Sequence, residues 1–142
     1  MIKKALHDKL IAITNVTAAL AAYPFSTGSA ETPAVFAGRR IPEDAKFPCI
    51  FIRNSAASDW SVRSLKGAEA WFDVQIYANK NVTERALSNI AWNVWKELDC
   101  TSLTVEEYDC KACVADPPQQ LNGDDDYPMY NVKVKVSILE QL

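Results

Sequence analysis

Residues 67–98, GAEAWFDVQIYANKNVTERALSNIAWNVWKEL, decide the fold. Their first part alternates. Ala70, Phe72, Val74 and Ile76 fall on one side, and Trp71, Asp73, Gln75 and Tyr77 on the other. A period of two is what a half-buried antiparallel strand requires. At Asn81 the period changes. Leu87, Ile90, Ala91, Val94 and Leu98 form a single stripe at helical spacing, which predicts a helix with one apolar side. Asn81 is placed to cap it, with Glu84 as the acid of a capping box. Glu84 near the start and Lys96 near the end both suit the helix dipole.

Working outward, Ile2, Leu6, Leu10 and Ile13 predict an opening amphipathic helix. Asn15 is expected to cap a short second helix over Val16–Ala22, which Tyr23-Pro24 ends. Residues 24–48 hold most of the prolines and read as a long loop around a short extended piece at Ala34–Ala37. Cys49–Arg53 reads as a strand, and Ser55–Leu65 as a polar hairpin connection. Val105–Ala115 reads as one extended run and residues 119–126 as a polar loop. Tyr130–Ile138 is a second strong alternation, Val132, Val134, Val136 and Ile138 against Asn131, Lys133, Lys135 and Ser137. Consecutive strands joined by short polar connections favour antiparallel pairing. The expected fold is α+β in one domain, residues 1–142: an antiparallel sheet of about four strands with two main helices packed on one face.

The chain has 142 residues, 49% of them apolar. A domain of this length buries roughly 68–70% of its unfolded surface and needs no staple to fold. The formal net charge of −3 and the lack of a Lys/Arg cluster give no support for sequence-specific nucleic-acid binding. The charged N-terminus does not read as a signal peptide, and no segment has the apolar length of a membrane span. The expected site of synthesis is therefore a cytoplasm, where Cys49, Cys100, Cys110 and Cys113 start as thiols.

Little in the sequence carries chemistry, and no catalytic, cofactor-binding or metal residues are assigned. His7 is the single histidine and reads as an exposed helix residue. Cys110-Lys111-Ala112-Cys113 has the spacing of a zinc or redox pair. It lies within an extended run, where the two side chains of a regular strand point to opposite faces, so structural thiols are expected. Asp124-Asp125-Asp126 lacks the further ligands of a calcium loop. What stands out is aromatic. Trp92 lies off the apolar stripe of its helix and Trp95 at its edge, and Trp71 and Tyr77 share the non-aliphatic sheet face. Trp60 sits in the polar connection. Aromatics on surfaces that the core does not use point to protein–protein contact. Trp60, Trp71, Tyr77 and Trp92 are the interface candidates, unless the loop at 24–48 covers the sheet face.

The layout resembles the siphophage tail-terminator, or tail-completion, proteins. The resemblance rests on Met1-Ile2-x-x-Ala5-Leu6, then Val16-Thr17-Ala18-Ala19-Leu20, and Ala34-Val35-Phe36 before Pro42. It continues through Phe47-Pro48-Cys49-Ile50-Phe51-Ile52, the long Gly67–Ala78 strand leading into a helix, and Tyr130-Asn131-Val132-Lys133-Val134 near the end. The Cys-x-x-Cys is not part of that pattern. The resemblance implies a structural virion protein without enzymatic activity or cofactor. It would form a six-membered ring that caps the tail tube and prepares it for head joining. Its partners would be its own copies, the tail tube protein and a head-completion or neck protein, with DNA present only as the passing genome. It would be assembled in the host cytoplasm and end in the tail or neck of the virion. Three other readings remain at this point: a head-completion or neck adaptor on the portal side, a small cysteine-dependent metal or redox protein, and a generic binding module of a bacterial host.

Overall fold

The computed structural model describes residues 2–23, 32–38, 41, 46–59, 66–79, 82–122 and 128–141. Two helices open the chain, α1 (Ile2–Ile11) and α2 (Thr14–Thr17). A small hairpin pairs β1 (Ala22–Tyr23) with β2 (Thr32–Pro33). Then follow β3 (Val35–Phe36), β4 (Cys49–Asp59), β5 (Gly67–Tyr77) and α3 (Glu84–Leu98). The chain closes with β6 (Tyr108–Ala115), β7 (Gln119–Asn122) and β8 (Pro128–Glu140).

The fold is α+β, as expected, but the sheet is larger than about four strands and is not wholly antiparallel. Among the described residues it has six strands in the order β3-β4-β5-β8-β6, with β7 on β8 beside β6. β3 runs parallel to β4, through Val35 opposite Ile50 and Phe36 opposite Phe51. All other pairings in this sheet are antiparallel. β5 and β8, the two strong alternations, form its centre over an unbroken register from Gly67↔Leu139 to Tyr77↔Met129.

One core lies between helices and sheet. Leu87, Ile90, Ala91, Val94 and Leu98 of α3 pack with Phe72, Val74 and Ile76 of β5 and Val132, Val134 and Val136 of β8. Leu6, Leu10 and Val16 from the opening helices join the same cluster, so the helices cover one face. His7 departs from its expected exposed state. It is half-buried, and its Nε2 lies 3.1 Å from the Val35 carbonyl oxygen, tying α1 to β3. The capping of α3 also differs: Thr83 is the N-cap, its hydroxyl accepting the Ala86 N–H at 3.1 Å. Asn81 lies outside the described residues. Asn15 is not a cap but an interior residue of α2, whose N-cap, Ile13, offers no side-chain acceptor.

Three further segments depart from expectation for identifiable reasons. β4 continues through Ser55–Asp59, where the polar connection was placed, because a strand exposed on both faces shows no hydrophobic alternation. A bulge between Asn54 and Ala56 interrupts its register. The run Val105–Ala115 is broken by a tight turn, with Val105 bridging Tyr108 and Glu107 at φ 67°. β7 forms inside the expected polar loop, held by pairing with β8 rather than by any apolar pattern of its own.

Val94 is fully buried, so Val94→Ala should cost about 1–3 kcal/mol through lost burial and the cavity left behind. Thr83→Ala should cost about 0.5–2 kcal/mol by orphaning a helix N–H. Denaturant unfolding of both variants against the parent checks these values.

Candidate assembly surface

The strand alternation that builds the core leaves a second sheet face. On β5 it carries Glu69, Trp71, Asp73, Gln75 and Tyr77. The residues opposite on β8 are Ser137, Lys135, Lys133, Asn131 and Met129. Directly opposite residues share a face and interact. Lys135 Nζ lies 3.6 Å from Glu69 Oε1 and 5.7 Å from the centroid of the Trp71 ring. Ser137 Oγ donates to Glu69 at 3.5 Å, and Asn131 Nδ2 donates to Asp73 Oδ1 at 3.2 Å. Acid, base and aromatic groups are thus fixed relative to one another.

One end of this face is covered by the chain itself. Ala34, Phe36, Cys49 and Phe51 form a second, small core, against which Tyr23, Ile41, Phe47 and Tyr77 pack. Tyr23 and Phe36 meet edge to face at 5.1 Å. The alternative, cover by the 24–48 segment, is seen at this end through Ala34, Phe36, Ile41 and Phe47. Tyr77 is half-buried there, and its hydroxyl donates to Gln75 Oε1 at 2.8 Å. Trp71 lies farther along the face, also half-buried, beside Ser55, Ala56, Asp73 and Lys133.

On the helix side, Trp95 Nε1 donates to the Ala115 carbonyl at 3.0 Å, and Trp92 stacks edge-on against Trp95 at 5.5 Å. Trp92 itself is 47% exposed. Val114 (46%) and Leu121 (37%) are exposed too. Val114 lies opposite Lys135 and Leu121 opposite Met129, so both share the sheet face of Trp71 and Tyr77, whereas Trp92 stands on the helix layer. Among the described residues only one other large apolar side chain is so exposed, Ile11 at the end of α1. Trp60 lies outside the described residues. Sequence reasoning thus places Trp92 but misses Val114 and Leu121. Leu121 stands alone among polar residues, and no pattern marks it. The parity of Val114 is hidden by a bulge.

That bulge, between Cys110 and Ala112, also corrects the reading of the cysteine pair. An extra residue on one strand reverses the alternation beyond it. Cys110 lies opposite Ile138 and Cys113 opposite Val136, so both face the helix layer rather than opposite sides. Cys113 is buried, with Sγ donating to the Leu98 carbonyl at 3.4 Å, and Cys100 N–H donates to the Cys113 carbonyl at 2.8 Å. Burial pushes the Cys113 thiol up to about 12, helped by Cys110, Asp99 and Cys100 and opposed by Lys9. Burial alone pushes Cys49 up to about 12. Among the described residues no group of three or more His, Cys, Asp or Glu is arranged to hold a metal ion. Asp124, Asp125 and Asp126 lie outside them. An open groove of about 760 Å³ runs between α1 and residues 102–106, its rim mixing Lys4 and Lys9 with Asp8 and Glu106. Among the described residues no helix is long and apolar enough to cross a membrane.

A chain from a structure titled "Virion of native gene transfer agent (GTA) particle" has the same fold: TM-score 0.68 at 14% sequence identity, over 99% of this chain and 95% of that one. The profile of the family described as "Tail completion protein gp17" matches residues 4–140. Comparison with curated protein sequences gives no match. The protein is a structural component of a virion. It belongs to the tail completion protein gp17 family.

Thiolate is the reactive form of cysteine. Cys49 and Cys113 should therefore resist alkylation at pH 8 in the folded protein and react after denaturation, as read by peptide mass mapping. A raised thiol pKa keeps the folded state protonated while the unfolded chain ionises from the ordinary thiol value of 9.0. Stability should accordingly be unaffected by these groups below about pH 9 and fall between about 9 and 12.

Proposed function

We propose that this virion protein caps the tail tube as a ring and prepares it for head joining. A rotary ring joins one patch of each subunit to a different patch of the next. The observation that carries the reading is that Trp92 stands exposed on the helix layer while Trp71, with the exposed Val114 and Leu121, lies on the opposite face of the sheet. Two separate surfaces with aromatic anchors suit a heterologous contact, since interface energy concentrates at Trp, Tyr and Arg. A six-membered ring, as the resemblance implies, would meet the tail tube protein on one side and a head-completion or neck protein on the other. Genome DNA would pass through it without sequence-specific contact.

Trp71 and Trp92 are the anchors proposed here. Trp60 is a third, through the connection that holds it. Tyr77 contributes through the covered end of the same sheet face. Each of Trp71→Ala and Trp92→Ala should leave the circular dichroism spectrum of a folded protein. In complementation, they should give tails of uncontrolled length or tails that fail to join heads, read by electron microscopy of lysates. Normal tails and normal plating from both variants would remove these residues from the contact.

A further inference from the structure

The register across the sheet places charges in a single row. Arg53 on β4 lies opposite Asp73 on β5, and Asp73 lies opposite Lys133 on β8. Beyond the end of β6, the Asp116 N–H donates to the Lys133 carbonyl at 2.9 Å, so Asp116 closes the row. The signs alternate from one sheet edge to the other, plus, minus, plus, minus. Both end residues, Arg53 and Asp116, are exposed. The adjacent row on the same face is Ala56, Trp71, Lys135 and Val114. It ends in a small exposed residue at one edge and an exposed apolar one at the other.

We propose that neighbouring copies of this chain join across these two edges, Asp116 of one copy against Arg53 of the next and Val114 seated beside Ala56 and Trp71. The proposal rests on the ring reading above and specifies its joint. Three observations support a head-to-tail second copy as the occupant. First, the row ends in opposite charges. A two-fold arrangement of the β4 edge would set Arg53 against Arg53, and of the β6 edge Asp116 against Asp116, whereas head-to-tail placement continues the alternation. Opposed charges at a contact favour the right partner and like charges penalise the wrong one. Second, β4, β5, β8 and β6 are successively antiparallel. β6 therefore runs opposite to β4, and a neighbour in the same orientation keeps the strand alternation unbroken. Third, the exposed half of β4 and the outer end of β6 stand at the same height: Ala57, Ala70, Val136 and Cys113 form one line of register.

The joint is made by side chains, not by adding strand to strand. The outer main chain of β6 is already engaged: Ala115 N–H donates to Asp99 Oδ1 at 3.0 Å, Trp95 Nε1 to the Ala115 carbonyl, and Cys100 N–H to the Cys113 carbonyl. The bulge at Asn54/Ala56 kinks the facing edge of β4, a common guard against strand addition.

Charge exchange tests the joint. Native mass spectrometry of the purified chain should show a ring for the parent. Arg53→Asp and Asp116→Arg should each lower the assembled fraction at least tenfold, and the double variant should recover it, all three keeping the parent's circular dichroism spectrum. Single variants that assemble as well as the parent, or a double variant no better than the singles, overturn the joint while leaving the ring intact. If the parent is monomeric alone, virions carrying Arg53→Lys are treated with a carbodiimide. An amide linking position 53 to Asp116 must come from two copies, because the two lie at opposite sheet edges, and finding it supports the joint. Links between copies elsewhere but not here overturn it. Virions with no link between copies of this chain overturn the ring reading as well.

Discussion

The structure depends on the contact between the inner face of β5 and the apolar stripe of α3. Phe72, Val74 and Ile76 are buried beneath Leu87, Ile90 and Val94. Because strand side chains alternate, burying this set commits Trp71, Asp73, Gln75 and Tyr77 to the other face, and a slip of one residue would exchange the two. β8 then locks to β5 over its full length, so the positions of Lys133 and Lys135 follow from the same constraint. The acid, base and aromatic pattern of the outer face is a consequence of how the core is satisfied.

This arrangement separates two kinds of surface. At one end the chain covers its own sheet, with Phe36, Phe51 and Tyr77 in a small second core. Elsewhere the face stays open, and its contacts are charge-assisted: Lys135 with Glu69 and with Trp71. Surface ion pairs of this kind add little to folding stability. Their fixed positions matter more for choosing a partner and its orientation. Membership of the tail completion protein gp17 family gives such a surface a use, because a virion component must hold neighbours in defined register.

The central strands and α3 were legible because their periods run long and uninterrupted. Trp92 could be placed off the core by helical spacing alone. What escaped reading shares a physical cause: structure imposed by partners rather than by local pattern. β7 has one apolar residue, Leu121, and exists because β8 offers it an edge. The far half of β4 is exposed on both faces and so has no alternation to detect. The bulge beside Lys111 reverses parity, which put Cys110 and Cys113 on one face against the simple strand rule. Thr83, not Asn81, caps α3, a choice between two capping residues two positions apart that only main-chain geometry settles. The charge row from Arg53 to Asp116 spans four segments far apart in sequence and becomes visible only through their register.

The place proposed for this protein is a ring at the head-proximal end of the tail tube. Electron cryo-microscopy of the intact virion, with density at the head–tail junction resolved well enough to trace the β5–α3 unit, tests it most directly. The expected result is copies of this chain in one closed ring seated on the last ring of tube protein. Finding the chain only against the portal, at the distal tip, or as single copies would contradict it.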